Sequence, residues 1–203
     1  MANNVRNVVT ITGPREDRNR LRELVDGETS FDLNKVIPMP ESLNISEGFP
    51  RDCGMAIVQF RETGHSEELS HLMAWMGMRT EAELADYLEK WDEECRSSPK
   101  PPWFERPADW DQNLVEHGRR CLLNIAQHGF PTWSHWRRKH WGTIGNTYDC
   151  SLTSNDKKRL AYEFNTAWYD PRPIFEVLKK MFPSLTIKVK VSGEVERPYS
   201  YTL

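Results

Sequence analysis

The residues of this chain that could do chemistry are its cysteines, its histidines and several runs of charge. Cys53, Cys95, Cys121 and Cys150 are widely spread, with no Cys-x-x-Cys pair. That spacing removes zinc-ribbon, thioredoxin-type and iron–sulfur motifs and leaves four thiols of a reducing compartment as the expectation. His117 and Cys121 are four apart and so share a helix face, with His128 near that face further on. The set resembles metal spacing, but Cys121 sits among Leu122 and Ile125, where a core thiol is the ordinary reading. No metal and no cofactor is expected. A Gly-rich phosphate loop and a Gly-x-Ser-x-Gly elbow are both missing, and nothing selects a Cys–His nucleophile pair. No catalytic residue is assigned.

Charge gives sharper candidates. Arg137-Arg138-Lys139 and Lys157-Lys158-Arg159 flank Trp141-Gly142-Thr143. Solvated charge is their usual role, and a phosphate or acidic-partner contact is the alternative. Glu81, Asp86, Glu89, Glu93 and Glu94 fall on a predicted helix whose other face is apolar. A solvated face is again the plain reading; the functional one is a surface that imitates nucleic-acid charge and occupies a basic groove. The candidate partner-binding residues are therefore Glu89, Glu93, Glu94, Arg137, Arg138 and Lys139. A net charge of −3 argues against holding nucleic acid by general electrostatics and is compatible with a basic partner.

These residues must be positioned by elements that the pattern predicts. Val5–Thr12 reads as a strand, Pro14 opens a helix carrying Leu21, Leu24 and Val25, and Gly27 closes it. Phe31–Ile37 reads as a second strand, stopped by Pro38-Met39-Pro40. Residues 41–60 read as a long loop, with Met55–Phe60 open to either a strand or a helix. From His65 to His140 the pattern is helical. Thr80-Glu81-Ala82-Glu83 is a capping box, followed by an apolar face of Leu84, Tyr87, Leu88, Trp91 and Cys95. Ser97–Pro102 is a break. Asp109 is the expected cap of the next helix, which buries Leu114, Cys121, Leu122 and Ile125 and ends at Gly129. Residues 131–140 give another short helix with Trp133 and Trp136. Tyr148–Leu152 and Leu160–Trp168 read as a hairpin across 153–156. Asp170-Pro171 is an N-cap with a first-turn Pro before the stripe Ile174, Val177, Leu178 and Met181. Leu185–Ser192 alternates as a half-buried strand.

Two β–α–β units close into one antiparallel sheet, so the expected fold class is α+β, ferredoxin-like, with a large helical insertion. The sheet domain would comprise residues 1–40 and 141–203 and the insertion 41–140. Its open face would carry Ala161, Glu163, Asn165, Lys188, Lys190, Thr10 and Thr12. Base stacking needs aromatics there, and none remains. The eight tryptophans supply core volume, each burying roughly 150–250 Å². The polar start Met1-Ala2-Asn3-Asn4 predicts no signal peptide, and no apolar run nears the roughly 20 residues of a membrane span. A cytoplasmic protein without membrane contact is the expectation.

Four segments carry a resemblance. Phe31–Pro40, His140-Trp141-Gly142-Thr143-Ile144-Gly145-Asn146-Thr147-Tyr148-Asp149, Phe164-Asn165-Thr166-Ala167-Trp168 with Pro171 and Pro173, and Phe182-Pro183 resemble the YubB-type ferredoxin-like domain family of phage and plasmid accessory proteins. The resemblance covers both ends of the chain and the helical middle poorly. Where the family has Asn before the Trp and Lys-Trp after the Thr, this chain has His140, Ile144 and Gly145. The fold name implies no iron–sulfur cluster. Family membership would imply a mobile-element origin. Such small accessory proteins often act by binding host defence systems, so the leading expectation is a non-enzymatic inhibitor of a host protein or ribonucleoprotein complex such as a CRISPR effector. A nucleic-acid partner engaged through the basic clusters is less favoured. An enzyme with a pocket between sheet and insertion, where Trp141, Asn146 and Tyr148 converge, is the third reading. For Trp141, Gly142, Thr143 and Asn146 themselves, a structural role in a turn outweighs a pocket wall.

Overall fold

Val5, Asn7, Val9 and Ile11 are buried and alternate with more exposed neighbours, which makes Asn4–Thr12 the strand β1. The computed structural model describes residues 3–99, 112–193 and 197–203. In it β1 is the centre of a five-stranded antiparallel sheet with β2 (Tyr148–Asn155), β3 (Arg159–Ala167), β4 (Thr186–Gly193) and β5 (Tyr199–Thr202), in the order β2-β3-β1-β4-β5. Val9 sits opposite Tyr162 on one side and Val189 on the other. Helix α1 (Arg15–Val25) follows β1 and buries Leu21 and Val25. Phe31–Ile37 is not a strand. It holds a short helix, α2 (Leu33–Val36), because the Asp32 carboxylate accepts the Asn34 N–H as an N-cap. Both neighbours of β1 are already β3 and β4, so no central ladder position is left for this segment. Phe31 goes into the core instead, its ring 5.0 Å from Phe164, 5.1 Å from Tyr162 and 6.0 Å from Phe175. Gly27 does not cap α1. A Cβ there would lie 2.3 Å from the Asp32 carboxylate, so glycine admits the cap that starts α2.

The chain divides into two units by internal contacts, Met1–Met39 with Ser134–Leu203, and Pro40–Trp133. The second, the helical unit, begins with a 3₁₀ turn at Glu41–Leu43 and α3 (Phe49–Thr63), where the pattern suggested a loop. Pro50 lies in the first turn of α3, where its missing N–H costs nothing. Helix α4 (Glu67–Met76) follows, then α5 (Glu81–Ser97) and α6 (Leu114–His128). Half of the capping box forms: Thr80 Oγ1 accepts the Glu83 N–H at 3.1 Å, while the Glu83 carboxylate accepts the N–H of Arg79, one residue before the N-cap, at 3.3 Å. Gly129 ends α6 in the left-handed region, φ 78°. The N-cap of α6 is Asn113, whose side chain accepts the Glu116 N–H; the expected cap Asp109 lies outside the described residues. Ile57, Leu69, Leu84, Leu88 and Leu114 form the core. Helices α3 and α6 cross at two glycines, with a Cβ on Gly118 falling 2.1 Å from the Gly54 carbonyl. Two burial expectations fail. Tyr87 and Trp91 of α5 and Ile125 of α6 are exposed, and the buried stripes use Ala85 and Asp92 on α5 and His117, Gly118 and Asn124 on α6. Small residues and hydrogen-bonded polar ones permit close approach where a large apolar stripe would hold the helices apart.

Back in the sheet unit, α7 (Trp133–Trp141) leads to β2, and α8 (Arg172–Met181) joins β3 to β4. Ile174, Phe175 and Leu178 of α8 are fully buried together with Leu21 and Val25 of α1. Sheet order and crossovers give the α+β, ferredoxin-like arrangement, with β5 as an added edge strand. The first β–α–β unit is completed by β2, after the helical insertion, and not by Phe31–Ile37. The edge strand β2 carries two register shifts and a positive φ of 49° at Asp149, irregularities that blunt an open edge. The hairpin turns at Asp156–Lys158, where the Asp156 carboxylate accepts the N–H groups of Lys158 and Arg159.

Candidate functional site

The Trp-Gly-Thr segment closes the sheet unit. Trp141 is 1% exposed and its indole N–H donates to the Ile37 carbonyl at 2.8 Å. Gly142 has φ 84°, and a Cβ there would fall 2.7 Å from Pro173 and 2.8 Å from the Asp170 carbonyl; both facts require glycine. The buried Thr143 hydroxyl donates to Ala167 O. The Asn146 amide donates to Asp32 at 2.8 Å, while its oxygen accepts the Leu33 and Thr147 N–H groups. Thr147 donates to Phe31 O. Tyr148 donates to Asn4 at 2.5 Å. The three residues named for a pocket, Trp141, Asn146 and Tyr148, thus direct these polar atoms to the chain itself. Together the segment clips residues 27–37 onto the sheet.

The basic clusters separate into different roles. Arg137 is half-buried, with its guanidinium 4.9 Å from the centre of the Trp141 ring and Nε donating to Met39 Sδ. Burial lowers its pKa from the usual value, with Glu28 opposing. Arg137 is thereby tied to the fold, and of its cluster Arg138 and Lys139 remain exposed. Lys157, Lys158 and Arg159 are exposed on the β2–β3 turn. That turn is held by Arg18, which is 2% exposed and donates to the carbonyls of Gly13, Asp156 and Lys157. The open sheet face presents Arg6, Glu163, Lys188 and Lys190, with Arg6 Nε 2.7 Å from Glu163, and no aromatic ring of β1, β3 or β4. At the other edge Tyr199 and Tyr201 both donate to the Asp170 carboxylate at 2.6 Å. Asp170 is therefore not the side-chain cap of α8: Pro171 occupies that position.

The acidic residues of α5 also divide. Glu93 and Glu94 are exposed. Glu89 is half-buried and paired with Arg61 of α3. Glu89, Glu93, Asp92 and Arg96 line one concavity of the helical unit. Asp92 is 7% exposed and accepts Arg96 Nε at 2.8 Å and the Leu114 N–H at 3.2 Å, placing a carboxylate at the start of α6. On the flank of α5 away from this concavity lie Tyr87 and Trp91, 45% and 41% exposed. The Trp91 ring meets the 44%-exposed Phe49 ring edge-on, centroids 5.2 Å apart at 74°. Phe49 also borders a cleft of about 230 Å³ lined by Asp52, Cys53, Ala56, Glu68, Leu69 and Leu72. Burial pushes the Cys53 thiol up to about 12, which keeps it a neutral wall. The sequence pattern concealed this surface, because helical spacing assigned Tyr87 and Trp91 to the core; the seven carboxylates spread through α5 were the one available signal.

Charge is distributed very unevenly. Residues 40–133 hold 17 Asp and Glu against 9 Lys and Arg, a net −8; the remainder holds 13 against 18, a net +5. Among the described residues no group of three His, Cys, Asp or Glu is placed to hold a metal ion. His117 donates to Ser46 O at 3.0 Å, and His128 lies 3.1 Å from the Ser42 hydroxyl, so both serve the turn at 41–48. No described helix is long and apolar enough to cross a membrane.

No family model matches the chain, and no curated protein matches it. Among solved structures it is similar to the crystal structure of a protein api92 from Yersinia pseudotuberculosis, family model DUF1281, at 11% identity and a TM-score of 0.46, over 100% of this chain and 94% of that one. At that level the likeness assigns neither a family nor an activity.

Proposed function

We propose that this chain is a YubB-type accessory protein of a phage or plasmid that works by binding a host protein or ribonucleoprotein complex in the bacterial cytoplasm. Its sharpest form is a counter-defence inhibitor of a complex such as a CRISPR effector. The supporting observation is the net −8 of the helical unit against +5 for the rest. A surface of one sign steers a partner of the other and excludes like-charged ones. Nucleic-acid-handling complexes carry basic grooves that such a surface suits. Affinity capture from a host carrying defence systems, read by mass spectrometry, tests the reading. A stoichiometric partner lost on Glu93→Lys with Glu94→Lys supports it; retention of that partner by the double variant sinks it. Glu89 is left intact in this test because it pairs with Arg61.

A second reading, nucleic-acid association through exposed Arg138, Lys139, Lys157 and Lys158, draws on the net +5 of the sheet unit. It requires binding that weakens steeply with salt and falls further on Arg138→Gln with Lys139→Gln.

A further inference from the structure

We propose that Phe49, Tyr87 and Trp91, with the cleft rimmed by Asp52 and Glu68, form a docking surface for an arginine-bearing segment of a partner protein. The inference rests on the protein-binding reading above and names the chemistry that its partner must present. Three observations carry it.

First, the aromatic rings are exposed and clustered. Phe49 and Trp91 hold each other edge-to-face across α3 and α5, and Tyr87 lies one turn before Trp91 on the same flank. Large exposed aromatics in one cluster mark an interaction surface far more often than scattered single ones do. Second, the cleft beside Phe49 joins apolar walls to carboxylates. Ala56, Leu69 and Leu72 suit an aliphatic stem, and the second oxygens of Asp52 and Glu68 suit a cationic head, Asp52 Oδ1 already accepting Arg51 Nε at 2.7 Å and Glu68 Oε2 the Ser66 hydroxyl at 3.4 Å. Third, the surrounding unit is strongly acidic, and Glu94 follows Trp91 by three residues, adjacent on the helix.

Aromatic faces and carboxylates together select a guanidinium. Arginine stacks on indole and phenol rings and binds carboxylates through a planar fork, whereas the lysine ammonium is a point charge that holds its water more tightly. A second copy docked symmetrically is a poor occupant, because it would bring a unit of net −8 against its like, and a copy docked through its net +5 unit would appear as a dimer in sedimentation. Nucleic acid carries the same sign and is excluded for the same reason.

The test uses the full chain labelled with 5-fluorotryptophan, with the Trp91 fluorine resonance assigned through Trp91→Phe. The probes are three acetylated eight-residue peptides, alternating Leu with Arg, with Lys or with Glu. The Leu-Arg peptide is expected to shift the Trp91 resonance saturably, the Leu-Lys peptide to bind more weakly, and the Leu-Glu peptide not at all. Phe49→Ala and Asp52→Asn with Glu68→Gln are each expected to weaken binding by about tenfold, with unchanged helical circular dichroism. A Trp91 resonance that ignores the Leu-Arg peptide overturns the proposal. So does equal binding of the Leu-Glu peptide, which would make the surface merely apolar, or a peptide-free dimer in sedimentation whose interface includes Trp91. The two readings fail separately. A captured host partner that tolerates Phe49→Ala but not the Glu93/Glu94 reversal removes this docking site and leaves the proposed function. Saturable arginine binding at Trp91 with no captured partner does the reverse.

Discussion

Trp141 and Trp91 lie on helices of the two different units, and their side chains do opposite things. Trp141 is buried, donates its N–H to Ile37 and is covered by Arg137. Trp91 leaves 41% of its surface in water and rests one edge on Phe49. The contrast extends to polar groups. In the sheet unit Asp32, Asn146, Thr143 and Thr147 bond within the chain and hold the segments around α2 and β2 together. In the helical unit the acidic excess is spread over exposed faces such as Glu93 and Glu94. A distinctive motif can therefore mark the part of a protein that keeps it folded, while residues that read as routine helix stripe form an exposed surface. Each unit also depends on a glycine, for different reasons, and that supplies the strongest way to press the comparison.

Gly118→Leu should have the largest effect. A Cβ alone would lie 2.1 Å from Gly54 backbone atoms, and backbone cannot yield as a side-chain tip can. The expected loss exceeds about 4 kcal/mol, seen as collapse of hydrogen-exchange protection in α3 and α6. Unchanged protection there would mean that the crossing is looser than two glycines imply. Gly142→Ala should cost less, about 3 kcal/mol, from the positive φ together with contact against Pro173 and Asp170. Its signature is lost protection in β2 and α8, read by the same exchange experiment.

How much of this was legible beforehand differs between the units in the same way. Alternation exposed β1, β3 and β4 directly, because one face of each is buried and the other is not. The N-cap at Thr80 and the stop at Gly129 were readable since both are local chemistry. The segment Phe31–Ile37 was misread because Val36 and Ile37 are β formers, and what decides against a strand is Asp32 capping a turn and both sides of β1 being occupied. Strand β5 lies beyond the elements that the pattern predicts, although Tyr199-Ser200-Tyr201-Thr202 alternates. Helix α3 was hidden by Gly48, Pro50 and Gly54, yet Pro50 starts the helix and Gly54 serves its crossing with α6. For the candidate surface, periodicity located the helix α5 but not its rotation. The buried stripe was set by Ala85 and Asp92, and Asp92 is inside only because Arg96 and the Leu114 N–H satisfy it. The Arg96 pair is local, four residues on in the same helix, but the Leu114 contact is tertiary and leaves no local mark.

The next effect is smaller and confined to alkaline solution. The Tyr201 hydroxyl donates to Asp170, and its pKa is raised first by burial and then by that carboxylate. A phenol whose folded pKa lies above its unfolded value of about 10 contributes stability that is complete below pH 10 and lost as pH rises above it. Urea titrations at pH 8 and pH 10.5 should therefore show a fall in stability for the native chain and a shallower fall for Tyr201→Phe. Equal slopes would show that the phenol is no better held when folded than when unfolded.

Trp91→Ala should have the smallest effect on stability, and that smallness is its content. Had helical spacing placed Trp91 in the core, truncation would cost about 3–5 kcal/mol. Exposed at 41% and in edge contact with the Phe49 ring, it should cost no more than about 1 kcal/mol, near the range of surface substitutions. A denaturation midpoint that barely moves would separate the aromatic surface of α5 from the folding of its unit, so that any loss of partner binding in the same variant belongs to the surface. A drop of several kcal/mol would return Trp91 to the core and make it the counterpart of Trp141 rather than its opposite.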